Sequence, residues 1–336
     1  MGNDRRYVSI TATTLPLGAS LPAALQSAVA KYDAWSHQHL LDEQAKTVVE
    51  MPLYQYSNAA GLKGIFDSRQ MWFTDYRFLN DPSELSHGMD MAKDMLRNAK
   101  TGADRRVGLF LDCVADLYSQ DNVDSTLAFF VASFSRARDD LGQWRSYADN
   151  GRGFSVGFAP KMFRIQDDPS PSPDENAYLG PVLYKVPDVL SRHRLAIDQA
   201  TGIFLSAAEA EAELMRDGAI GYPFMLELAK HLIAAPLIWN ALTSKHPAYE
   251  HEQEVRLVMV GIADKLAPFV KTRARGSDLV PYIPHPWDVR EPGAIVEILV
   301  GPAAPPDAED AVKALLAGYG ITGVDVERSD IPYRVT

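Results

Sequence analysis

The sequence predicts an α+β protein with a mixed, mainly antiparallel sheet, a helical insertion and a helix ahead of the sheet. Three observations predict it. Runs rich in β-branched and aromatic residues, LAFFVASFS (127–135), GFSVGF (153–158), EVRLVMVGI (254–262) and IVEILVG (295–301), read as strands. Between them, from about residue 187 to 243, lies a long block that reads as mostly helical. No P-loop and no G-x-G-x-x-G between a strand and a helix occurs, so neither a Walker NTPase nor a Rossmann dinucleotide site is supported.

Taken in order, residues 1–20 carry little pattern. Ser20 and Pro22 then open an amphipathic helix over 21–46, with Leu25, Val29, Tyr32 and Trp35 on one stripe that docks on the main domain or on a partner. We divide the chain at residue 48: an N-terminal extension (1–48), then one α+β domain (49–336). VVEMPLYQYS reads as a strand, AAGLKGIFDS as a short helix and QMWFTD as a second strand. In NDPSE, Asp81, Pro82 and Glu84 form a capping box for the helix LSHGMDMAKDML, and Asn80 is left over to brace a site. A further helix covers ADRRVGLFLDCVADLYS. QDDPSPSPDENAYL (165–178) reads as a polar surface loop, 180–186 as a strand, and the end of the chain as DLVPYI, IVEILVG, a helix over 307–316 and TGVDVER.

Composition narrows the class. With 336 residues, 46% of them hydrophobic and 23% charged, the chain has ample material for a core. A net charge of −11 argues against a broad basic surface for nucleic acid, although a local basic groove survives it. Cys113 is the only cysteine, which excludes an intramolecular disulfide and suits a reducing compartment. No signal-like or membrane-length apolar run is present, and the expected location is cytoplasmic. His37 and His39 project in different directions on a helix and no H-E-x-x-H or C-x-x-C occurs, so no metal is expected.

The stretch YEHEQEVRLVM (249–259) sets the functional question. If 252–260 is extended, Glu252, Glu254 and Arg256 share one face and Val255, Leu257 and Met259 the other. A solvated charged face explains a bare E-x-E, and the neighbouring segments decide whether it is more. His246 and His251 stand close by as surface loop residues or acid–base groups. Trp144 and Tyr147, beside Gln143 and Arg145 in a loop-like segment, suit a ligand wall, and Arg145 or Arg152 suits a pyrophosphate. KTRAR (271–275) is the one compact basic cluster. It reads as the charged edge of an exposed hairpin, with contact to an anionic acceptor such as RNA as the sharper alternative.

LYQYSNAAGLKGIFDSRQMWFTD with FLNDPSEL, then SFSRARDDLGQWRSYADNGRGFSVGF, YEHEQEVRLV and EILVGP…SDIPYR, resemble in order the landmarks of a bacterial family of unknown function, family 2971. The resemblance spans about 50–334. That arrangement is in turn similar to the ADP-ribosyltransferase superfamily, in which a first-strand His or Arg holds NAD, an S-x-S strand braces the site and a late E-x-E strand is catalytic. The resemblance implies that fold, NAD as co-substrate, and these elements at Gln55, at Ser133 and Ser135, and at Glu252 and Glu254. Gln55 departs from the usual His: its amide still hydrogen-bonds but cannot change charge.

On that resemblance, Glu254 would hydrogen-bond the ribose 2′-OH and stabilise an oxocarbenium-like transition state, worth about 3–4 kcal/mol. Glu252 would orient or deprotonate the nucleophile. Gln55, Tyr56, Ser57, Asn80, Ser133, Ser135, Trp144, Arg145 and Tyr147 would bind NAD, and Ser135 would also hold Glu254 in place. The implied activity is transfer of ADP-ribose to a protein or nucleic-acid acceptor by a toxin or phage-defence effector. The alternatives are an NAD glycohydrolase at the same site or a degenerate nucleotide-binding or interaction module.

Overall fold

The computed structural model describes residues 21–46, 49–79, 84–163, 177–275 and 277–333. The Ser20 cap, Asn80, the Asp81–Pro82 part of the capping box and most of the 165–178 loop lie outside the described residues.

The first helix, α1 (Ala23–Lys46), is followed by β1 (Leu53–Ser57), α2 (Ala59–Ser68) and β2 (Gln70–Asp75). Asn58 caps α2, its side chain accepting from the Gly61 amide. Then come α3 (Glu84–Lys100), α4 (Arg105–Leu117), α5 (Gln120–Thr126) and β3 (Leu127–Ser135). The short helix α6 (Leu141–Tyr147) precedes β4 (Phe154–Phe158) and β5 (Tyr178–Pro181). The helical block is α7 (Val186–Ala210), α8 (Ala212–Arg216), α9 (Gly218–Leu232) and α10 (Ile238–Leu242). A π-helical turn, Ile233–Leu237, joins α9 to α10, and Pro236 within it supplies no backbone donor. The chain ends with β6 (Glu254–Ile262), α11 (Ala263–Leu266), β7 (Lys271–Arg275), β8 (Asp278–Pro286), β9 (Ile295–Val300), α12 (Ala308–Gly318) and β10 (Asp325–Arg328).

The described fold is therefore α+β with a mainly antiparallel sheet; β9 with β10 is the parallel strand pair. The strand expected at 180–186 sits earlier, at 178–181, because Pro181 ends its ladder with β6 and α7 starts at Val186. Strand β3 organises the sheet. Along one edge it pairs with β6 throughout. Its other edge takes β2 at Phe130–Val131 and β1 at Ser135, so the sheet forks into a β1–β4–β9–β10 limb and a β2–β8–β7 limb.

Period-two alternation on β3 and β6 then feeds two cores. Phe130, Ala132, Phe134, Val255, Leu257 and Met259 face a cluster drawn from both limbs, with Leu53, Phe73, Val156, Ile283 and Ile298. Phe129, Val258 and Val260 face the opposite way, into a helical layer of α1, α3, α4, α7 and α9. The stripe read on α1 behaves as expected on its own chain. Leu25, Val29 and Tyr32 are buried in that layer and Trp35 is half-buried, stacked on His39.

Candidate functional site

The candidate site forms where α10 gives way to β6. Residues 252–254 are not one extended run. A 3-10 turn, Pro247–Glu252, starts on His246, whose ring accepts from the Ala248 amide. Gln253 then takes φ 45, a left-handed conformation that reverses the chain into β6. Both glutamates are buried nonetheless, at 5% and 7% exposure, so neither points into bulk solvent.

Burial of a carboxylate needs compensation, and the structure supplies it with two cations. Arg256 clasps Glu254 bidentately, Nε to Oε1 at 2.8 Å and Nη2 to Oε2 at 2.9 Å, and donates from Nη1 to the Leu242 carbonyl at 2.6 Å. Lys245, itself 2% exposed, donates to Glu252 Oε2 at 2.7 Å and to Glu254 Oε2 at 3.4 Å. Its ammonium also lies over the Tyr249 ring, 4.7 Å from the centroid. Tyr147 donates to Glu252 Oε1 at 3.0 Å, and the Glu254 amide donates to the Tyr184 hydroxyl at 2.8 Å.

These neighbours set the charge states. Burial works to raise the Glu254 pKa, but the Arg256 charge and hydrogen bonds, then Lys245 and a Ser133 hydrogen bond, outweigh it and hold the group at about 2. Burial pushes the Tyr147 hydroxyl well above its usual range, with the Glu252 charge adding to the effect. Glu254 is thus a fixed anion and Tyr147 a fixed neutral donor.

Strand register decides which predicted residues share this place. Ser135 stands across from Glu254 and Ser133 from Arg256 in the antiparallel ladder, so both serines share the glutamate face. Ser135 braces the turn rather than the Glu254 carboxylate: its hydroxyl donates to the Glu252 carbonyl at 2.6 Å and accepts from the Ala137 amide at 3.0 Å. Tyr54 stands across from Ser135, which turns Tyr54 and Tyr56 to that face and Gln55 and Ser57 to the other. Gln55 pairs in register with the core residue Val156. The first-strand polar residues therefore do not meet Glu254, because a one-residue offset reverses the face in a strand.

The loop-like reading of the Trp144 segment is corrected as well. Asp140 caps α6 by accepting from the Gln143 amide at 2.9 Å. Trp144 has no exposed surface. Its ring packs edge-on against Tyr56 and its Nε1 donates to Asp139 at 2.5 Å, so it is a core anchor and no ligand wall. Tyr56 donates to the Ala137 carbonyl at 2.9 Å and accepts from the Asp140 amide at 3.1 Å, tying β1 to the β3–α6 connection. Arg145 and Arg152 are exposed. His246 serves as a cap, and the His251 ring lies so close to Gly142 that a Cβ there would come within 2.7 Å of it.

Sequence reasoning missed Lys245 and Tyr184. Lys245 follows the apolar helix α10, and a lysine at the end of such a helix is the only signal that marks it. Neither described cavity touches the glutamates. One is a surface groove of about 410 Å³ between α12 and β10; the other holds about 10 Å³ beside Gln44 and Trp239. Among the described residues no three His, Cys, Asp or Glu side chains cluster as metal ligands, and no helix is long and apolar enough to cross a membrane.

Residues 143–257, from α6 into β6, match the model of a protein family of unknown function, DUF2971. The match takes in Trp144, Tyr147, Lys245, Glu252, Glu254 and Arg256, about a third of the chain and less than the 50–334 span of the sequence resemblance. No curated protein and no solved structure matches the chain.

Proposed function

We propose that the protein is an ADP-ribosyltransferase-like enzyme that cleaves NAD at the nicotinamide bond and passes ADP-ribose to a macromolecule. One observation carries this reading: Glu252 and Glu254 lie side by side next to an S-x-S strand, with Glu254 held as an anion by Arg256 and Ser133. An oxocarbenium-like transition state needs a carboxylate that stays ionised, and a fixed anion needs no reorganisation when the positive charge develops. Lys245 now occupies the cationic position between the two carboxylates and over Tyr249. In this reading the nicotinamide end of NAD, itself a cation, takes that position as Lys245 swings aside. Tyr147 then keeps its bond to Glu252, which aligns the incoming nucleophile.

The test is nicotinamide release from NAD by the purified protein, with and without cell lysate, beside Glu254→Gln and Tyr147→Phe, each checked for folding by circular dichroism. Abolished release in folded Glu254→Gln, with reduced release in Tyr147→Phe, is the expected result. Release without lysate at full rate points to the glycohydrolase, with water as acceptor. Two observations favour a second reading, a degenerate nucleotide-binding or interaction module: the carboxylates are saturated by the chain's own cations, and Gln55 faces away from them. Absence of release under both conditions selects it.

A further inference from the structure

On the β2–β8–β7 limb, one face collects aromatic rings and cations. The register runs Thr74–Tyr282–Lys271 and Trp72–Pro284, and Arg273 and Arg275 follow Lys271 at every second position. Trp72 and Tyr282 pack against each other at 4.9 Å. Arg273 lies over both rings, 5.1 Å from Trp72 and 5.8 Å from Tyr282, and donates to the Thr74 hydroxyl at 2.9 Å. This stack is a built arrangement, with the aromatic rings holding the central guanidinium in place.

Two features of the stack remain unmet within the protein. The Arg273 Nε–H and the Trp72 indole N–H are turned away from solvent and find no acceptor among the described residues. Among the described residues no carboxylate pairs with Arg273: burial lowers its pKa and the neighbouring Arg275 charge lowers it further. Lys271 and Arg275 flank it and are exposed, and Asp278, across from Arg275 in the turn, is the one acidic residue on this face of the β7–β8 hairpin. In a chain of net charge −11, three cations concentrated on the terminal strand of the sheet form a local positive edge.

We propose that this face binds single-stranded nucleic acid, with bases stacking on Tyr282 and Trp72 and phosphates tracking Lys271, Arg273 and Arg275. Alternate side chains on a strand stand about 6.6 Å apart, on the scale of successive phosphates in an extended single strand. Half-buried rings interleaved with cations supply the stacking and charge that such binding uses, and they discriminate it from duplex binding, where bases are not free to stack. The site is separate from Glu254 and does not depend on the NAD reading.

The experiment is fluorescence anisotropy of a labelled single-stranded RNA oligonucleotide against the whole protein at about 50 mM salt. Lys271→Glu/Arg275→Glu changes two exposed side chains. It is expected to weaken binding at least tenfold and to lower the slope of log K against log salt by about 1.4, two lost phosphate contacts. Tyr282→Ala, checked by thermal melting, is expected to weaken binding about tenfold through lost stacking. Glu254→Gln binds like the native chain, so failure here and failure of the enzymatic reading are distinct results. Absence of binding, equal binding by the double variant, or equal competition by inorganic polyphosphate of matched charge overturns the proposal.

Discussion

At the scale of single residues, the cluster of Lys245, Glu252, Glu254 and Arg256 makes sharp demands. Each charge is buried, so removing one strands another. Lys245→Met leaves Glu252 without its ammonium partner and is expected to cost about 3–5 kcal/mol, measured by urea unfolding. Adding Glu252→Gln removes the stranded charge, so the double variant should recover much of that loss. Equal losses for single and double variants would mean the pair is not coupled. Glu254 adds a pH signature whose sign follows from its depressed pKa. Its ordinary value is 4.5 and its folded value about 2, so its contribution is fully present above about pH 4.5 and lost as the pH falls toward 2. The native chain should lose stability steeply across that window, and Glu254→Gln, starting lower, should lose less there.

At the scale of elements, α1 is held by an apolar stripe, by an ion pair of Glu43 with Arg192 on α7 at 3.5 Å, and by a histidine clip. His231 on α9 meets Asp33 on α1 at 3.1 Å, with Glu227 at 3.7 Å on its other nitrogen. Burial disfavours the imidazolium, but the hydrogen bonds and charges of Asp33 and Glu227 prevail and raise its pKa from 6.5 to about 9. A raised pKa gives stability that is complete below about pH 6.5 and lost as pH climbs through 9. Native thermal midpoints should therefore fall between pH 6.5 and about 9.5, and His231→Gln should flatten that fall. An unchanged slope in the variant would remove the clip from the account.

The elements also show what the sequence could reveal. β2, β3 and α2 stand at the limits read from the chain, because each has its own periodicity and a flanking turn or cap. The strand from Glu254 onward and its partner serines were legible for the same reason, whereas reading 252–260 as one extended run missed the turn at Gln253. Face assignment between strands was not legible: Gln55 and Tyr56 differ by one position, and only the pairing of Tyr54 with Ser135 decides which of them lies on the Glu254 face of the sheet. Nor did composition distinguish α6 from a loop, since a seven-residue helix rests on its Asp140 cap and on the tertiary packing of Trp144. Lys245 comes from a segment with no motif of its own, and its role exists only through the contacts it makes in the folded chain.

At the scale of the whole molecule, β3 and β6 form the wall shared by both large cores. Phe129 enters the helical layer and Phe130, its neighbour in sequence, enters the cluster between the two limbs. Both rings are nearly free of solvent, at 1% and 3% exposure. Truncating either should cost about 3–5 kcal/mol through lost burial and the cavity left behind. Because the ladder between β3 and β6 is continuous, damage on one face should be felt on the other. Native-state hydrogen exchange tests this directly, with α9 reporting on the helical layer and β9 on the opposite core. Phe129→Ala should accelerate exchange of the slowest amides in both elements, and Phe130→Ala should do the same. If Phe129→Ala accelerates only α9 and Phe130→Ala only β9, the cores open independently. The glutamates, attached to the shared wall, would then be insulated from α1 and its clip. Joint acceleration would mean that loosening α1 by raising the pH also loosens the setting of Lys245 and the E-x-E turn.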